Sequence, residues 1–200
     1  MKTNIFKSIF RTLALLLALG AGSQAMAGTM YLVSVNTAQY GAGNTGYLDF
    51  VFSGQGSGPA VTATMSDLQG FDLDPANFDT MGDASAVPGG FQLLNTAGFN
   101  DVYYKATFGG VFSFMLSFSG EASALDNSTF SIFALNSAEE LLGGSLLELT
   151  YQLLPNGQPG AIPDVVAPNA DANQVPEPGA MALAALGLMM LGVARRQRRA

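Results

Sequence analysis

The sequence predicts an all-β domain, an antiparallel two-sheet sandwich of jelly-roll-like type, with an apolar segment at each end of the chain. Three observations predict it. Short runs between residues 28 and 154 alternate apolar and polar residues with period two, as strands with one buried face do. Glycine-rich breaks at Gly41–Gly46, Gly54–Gly58, Gly89-Gly90, Gly109-Gly110 and Gly143-Gly144 punctuate those runs. The region has no long amphipathic helical pattern and no convincing repeat. Many short strands between regular turns favour a sandwich.

The expected strands follow in order. Tyr31, Val33 and Val35 share one face of the first. Leu48, Phe50 and Phe52 oppose Tyr47, Asp49 and Val51 in the second. Val61, Ala63 and Met65 form the third, and Phe91–Leu94 a short fourth. Val102, Tyr104, Ala106 and Phe108 oppose Tyr103, Lys105 and Thr107. Phe112, Phe114, Leu116 and Phe118 oppose Ser113, Met115 and Ser117. Phe130, Ile132 and Ala134 precede a last strand with Leu147, Leu149, Tyr151 and Leu153. One helical turn is expected at Ser137–Leu142, where Ser-Ala-Glu-Glu has a capping pattern.

Charge is segregated along the chain. Lys2, Lys7 and Arg11 precede the first apolar run, and Arg195, Arg196, Arg198 and Arg199 follow the last. Lys105 is the one base between them, whereas fourteen of the 15 acids lie between residues 28 and 174. That balance excludes nucleic acid as a partner, because phosphate neutralisation needs Lys and Arg. It suits a soluble, self-repelling surface protein. The sequence has no cysteine and no histidine. Thiol chemistry, a Ser-His-Asp triad and ordinary zinc sites are therefore excluded.

The N-terminal segment has three parts. Met1–Arg11 is basic, Thr12–Ala21 is apolar, and Ala25-Met26-Ala27 places small residues at the cleavage-defining positions. This is the layout of a signal peptide over residues 1–27, a helix cut by signal peptidase before Gly28. Its apolar core of about ten residues is too short to span a bilayer core of about 30 Å.

The C-terminal segment, 175–200, also has three parts: Val175-Pro176-Glu177-Pro178, the apolar run Gly179–Ala194, and the basic end Arg195-Arg196-Gln197-Arg198-Arg199-Ala200. As a helix the apolar run spans roughly 24 Å at about 1.5 Å per residue, short for a lasting transmembrane anchor. The arginines should stay on the cytoplasmic side. These three elements resemble the PEP-CTERM sorting signal of Gram-negative bacteria. The resemblance implies recognition of Val175, Pro176, Glu177 and Pro178 by a membrane-embedded exosortase. It also implies a transient inner-membrane intermediate, removal of the tail, and delivery to the cell surface or extracellular matrix. Tyr31–Thr37 and Gly46–Phe52 also resemble the openings of small PEP-CTERM proteins with β-sandwich domains that lack an assigned activity.

Between domain and tail, residues 155–174 are rich in Pro, Asn, Gly and Ala, without a sustained period. They are expected to form a flexible linker.

Little in the domain points to chemistry. Asp72, Asp74, Asn77, Asp79 and Asp83 place hard oxygen ligands within twelve residues, and Ca²⁺ is the cofactor such a loop would take. The spacing differs from an EF-hand, and a solvated acidic loop is the plainer alternative. Asp49, Asp101, Glu121 and Glu148 lie in or beside strands, where a glycosidase pair would have to be found. Tyr31, Tyr40, Tyr47, Tyr103 and Tyr104 are available for stacking on sugars, although most Phe residues should be core. The sequence thus favours a non-enzymatic structural or adhesive surface protein associated with exopolysaccharide. A calcium-assisted carbohydrate-binding module is the first alternative and a carboxylate-dependent glycoside hydrolase the second.

Overall fold

The computed structural model describes residues 30–54, 58–122 and 127–175. The strands are β1 (Met30–Asn36), β2 (Thr45–Gly54), β3 (Val61–Gln69), β4 (Phe78–Met81), β5 (Ala84–Val87), β6 (Gly90–Leu94), β7 (Asp101–Thr107), β8 (Val111–Gly120), β9 (Ser128–Asn136), β10 (Leu147–Leu153), β11 (Pro159–Val166) and β12 (Ala170–Val175). Two short 3₁₀ turns, Ala38–Tyr40 and Pro75–Asn77, complete the elements.

The strands form two six-stranded sheets, ordered β12-β1-β8-β3-β6-β5 and β11-β10-β9-β2-β7-β4. All the pairings are antiparallel. Among them, β1 with β8, β2 with β7 and β3 with β6 are nested, as though one long hairpin had been rolled up.

The period-two pattern explains how the sheets pack. Along β8, Phe112, Phe114, Leu116 and Phe118 are buried while Ser113, Met115 and Ser117 are partly exposed. Phe50, Phe52, Phe91, Phe114, Phe118 and Phe130 are among the largest fully buried side chains. The Phe50 ring meets Phe114 edge-on at 5.6 Å and 89°, an arrangement the ring quadrupole favours. Three core tyrosines carry their hydroxyls to backbone groups across the sandwich. Tyr31 on β1 donates to the Ala161 carbonyl on β11. Tyr151 on β10 donates to the Gly120 carbonyl at 2.9 Å. Tyr104 on β7 accepts from the Asp72 amide at 2.6 Å.

The structure corrects the expected linker at 155–174. Those residues supply β11 and β12, which extend one edge of each sheet. The prolines explain why no strand was evident there. Pro159 and Pro163 lack the N–H of an interior strand, and an edge strand is where proline is tolerated. Pro163 stands opposite the irregularity between Glu148 and Leu149. Besides the Tyr31 bond, Thr150 on β10 donates through its hydroxyl to Asp164 on β11.

The expected helical turn at Ser137–Leu142 is also absent. Asn136, one residue earlier, organises a tight turn instead: its Oδ1 accepts from the amides of Ala138 and Glu140 at 2.9 and 3.0 Å. Glu139 adopts a left-handed conformation at φ 65°, which breaks a helix. The expected signal-peptide and C-terminal transmembrane helices lie outside the described residues. Among the described residues no helix is long and apolar enough to cross a membrane.

Candidate functional site

The acidic segment after β3 does not gather its side chains into one shell. Asp72 accepts from the Asp74 amide and from Asn77 Nδ2, at 3.1 and 3.0 Å. Asp74 caps the 3₁₀ turn Pro75–Asn77 by accepting from the Ala76 amide at 2.9 Å. Asp79 lies on β4 and accepts from the Thr80 amide at 2.8 Å. Asp83, in the turn to β5, accepts from the Thr96 hydroxyl. The first three residues share a local hydrogen-bonded turn, and the last two belong to separate neighbourhoods. Among the described residues no three acidic, histidine or cysteine side chains are grouped to hold a metal ion.

The structure instead brings two carboxylates together on the outer face of the β2/β7 ladder. In the register Asp49 stands opposite Tyr103, and Val51 opposite Asp101. Asp49 and Asp101 are therefore diagonal neighbours on one face. On the other side of β7, Asp79 of β4 stands opposite Tyr103 and Met81 opposite Asp101. Asp101 is 4% exposed, unusual for a side chain on an outward face. Asp49 and Tyr103 are half-buried. Asp49 Oδ1, Asp101 Oδ1 and the Tyr103 hydroxyl are all buried without a hydrogen-bond partner. The Tyr103 ring stacks on Tyr47, with centroids 4.4 Å apart and planes inclined by 21°.

The electrostatics follow from that placement. Burial, and then the charge of Asp101, push the Asp49 carboxyl up to about 7. Burial also raises Asp101, and Asp79 adds to the rise, while the amides of Asp101 and Met81 oppose it. The Tyr103 phenol is pushed up to about 12, first by burial and then by Glu139, Tyr47, Asp49 and Asp101. Glu121 and Glu148 do not join this group: Glu121 lies just past β8, and Glu148 is on β10.

The surrounding rim is organised by two asparagines that sequence reading did not single out. Asn95 Oδ1 accepts from the Val61 amide at 2.8 Å, and its Nδ2 donates to Ser128 Oγ at 2.8 Å. Asn100, fully buried, accepts from the Asp83 amide at 2.7 Å and donates to the Phe52 carbonyl at 3.1 Å. The one available signal was their position between β6 and β7, because buried loop amides usually satisfy backbone groups.

The pairing of β1 with β12 forms the second feature. β1 and β12 are antiparallel, and Met30 stands opposite Val175. Asn36 and Asn169 close the other end of the ladder with bonds of 2.7 and 3.0 Å. The first residue of β1 and the last residue of β12 therefore lie side by side at one corner of the fold. Residues 174–199 match the family description "PEP-CTERM protein-sorting motif". The chain carries a PEP-CTERM sorting tail. No curated protein and no solved structure matches the chain.

The PEP-CTERM motif points to an exported protein, with exosortase as its processing partner and a C-terminally membrane-anchored intermediate. Its first two matched positions, Gln174 and Val175, are the last two residues of β12 and pair with Tyr31 and Met30. The motif thus begins inside the folded sheet. Pro176, Glu177, Pro178, Arg195, Arg196, Arg198 and Arg199 lie outside the described residues, as do Ala25, Ala27 and Gly28 at the expected signal-peptidase site.

Proposed function

We propose that this PEP-CTERM protein is a non-enzymatic structural or adhesive component of the cell surface or extracellular matrix, associated with exopolysaccharide. The observation that carries this reading is the continuity of the sorting motif with β12. Sorting through the tail acts on the whole sandwich, because the strand that leads into the motif is part of the fold. The acidic, self-repelling domain would remain solvated within a polysaccharide matrix.

The test has two parts. Intact-mass spectrometry of protein from the host's surface and medium should find a product beginning at Gly28 and ending near Pro176–Pro178. A strain lacking the gene should retain less polysaccharide and aggregate less. Retention of Arg195–Ala200 in the mature product would oppose the sorting part. A matrix unchanged by the deletion would oppose the structural role.

The stacked Tyr47–Tyr103 pair beside Asp49 and Asp101 favours a second reading, a carbohydrate-binding module. An aromatic face next to hydrogen-bond acceptors suits a sugar ring. Under this reading Tyr47→Ala weakens retention on the host's purified exopolysaccharide. Equal retention of parent and variant would remove it.

A further inference from the structure

We propose that Asp49, Asp101 and Tyr103 form a site for a hard divalent cation, of which Ca²⁺ is the fitting example, on the outer face of the β2/β7 ladder. The site is separate from the turn 72–77, although Asp79 of the same acidic segment adjoins it from β4, and it does not depend on the role proposed for the domain.

Three residues of this face each carry a buried oxygen without a partner. Buried polar atoms in folded proteins nearly always have a partner, and exceptions mark water, an ion or a functional strain. Two exceptions here are carboxylate oxygens on diagonal neighbours, and the charge of Asp101 acts directly on Asp49. Asp101 is the stronger witness, since it is almost wholly buried yet leaves one oxygen unused. Desolvating a carboxylate without a counter-charge is costly.

No base stands opposite or diagonal to Asp101 in the ladders on either side of it. Lys105 is the sole base between residues 30 and 175; it is exposed, stands opposite Tyr47 and lies diagonal to Asp49, on the far side of Tyr103 from Asp101. A cation from solution supplies what the chain lacks. Carboxylate oxygens are hard donors, which favour Ca²⁺ over softer metals. Two carboxylates with water completing the shell make a weak site, of the 10⁻⁴–10⁻³ M class common in extracellular modules.

The tyrosines offer a direct assay. Terbium(III) occupies calcium sites and emits when excited through a nearby tyrosine, and Tyr103 and Tyr47 are adjacent. The full chain in detergent, titrated with terbium chloride, should show tyrosine-sensitised emission. CaCl₂ should displace it and NaCl of equal ionic strength should not. Asp49→Asn with Asp101→Asn should abolish the emission. Asp72→Asn, in the other acidic segment and next to Tyr104, should leave it intact. If the double variant does not fold, Tyr103→Phe supplies the decision, with a severalfold loss expected. In parallel, 10 mM CaCl₂ should raise the melting temperature of the parent by about 4 °C. Absent emission, emission that survives removal of both carboxylates, or emission lost with Asp72→Asn would each overturn the proposal.

Discussion

The Tyr31 hydroxyl on β1 donates to the Ala161 carbonyl on β11, so the first described strand of one sheet is tied to an edge strand of the other. The bond is buried and spans 130 positions in sequence. It makes β11 part of the sandwich's closure.

Tyr31→Phe keeps the ring and removes the bond, leaving the Ala161 carbonyl buried without its donor. The expected loss is about 1–3 kcal/mol, read as a lower denaturation midpoint with unchanged slope. A variant as stable as the parent would mean that β11 does not depend on this contact.

Limited proteolysis distinguishes an integrated 155–174 segment from a free stalk. Ala161 and Ala170 are buried, and both new strands are held in ladders. Thermolysin should leave this segment uncut under conditions that digest an unfolded protein of similar size. Early cleavage between Pro159 and Val175 would contradict the two strands.

Gly90 has no room for a side chain. A Cβ there would fall 1.8 Å from the Met65 carbonyl oxygen, a backbone atom of the adjacent strand. Gly90→Ala must push β6 away from β3, at a cost of about 2 kcal/mol or more, measurable by thermal unfolding. Gly89→Ala is not its equal as a control, because Gly89 has φ 79°. Gly98→Ala is the better one, with nothing near its Cβ position.

The raised Asp49 carboxyl sets a pH dependence. In the unfolded chain this group titrates near the ordinary carboxylate value, about 4, and in the fold at about 7. Between those values the folded state holds the extra proton. Its stabilising contribution is therefore complete below about pH 4 and is lost as pH rises through about 7. Asp101 and Tyr103 are also raised, and Asp79, Glu139 and Tyr47 are the other groups acting on this face. With EDTA present, the melting temperature should fall from pH 5 to pH 8, and Asp49→Asn should flatten that slope. Parallel slopes for parent and variant would rule out Asp49 as the source.

The eight strands expected from periodicity are all present, because each buries alternate residues against the facing sheet. Phe112, Phe114, Leu116 and Phe118 show the rule at its clearest. The pattern missed β4, β5, β11 and β12, which are edge strands of their sheets. Phe78–Met81 is only four residues long, burial along Ala84–Val87 and Pro159–Val166 does not alternate, and Pro159 and Pro163 further conceal β11. The candidate site was legible only as separate residues. Asp49 and Asp101 were recognisable as carboxylates in or beside strands, but their meeting depends on the β2/β7 register, a pairing across about 50 positions that local periodicity does not encode. The acidic segment was legible as composition, yet its side chains are spent on the Asp74 cap and the Asp72–Asn77 turn. The PEP-CTERM motif was legible because it is linear.

The pairing of Met30 with Val175 has a mechanical consequence. A pull transmitted through the chain beyond Val175 reaches the domain through one edge strand, held on one side by β1 alone. If the opposing force acts at the start of β1, the two strands part from their shared end and the rungs fail one after another. Such a tether yields at low load by peeling β12, while the rest of the sandwich stands. The same ladder can close again when the tension is released.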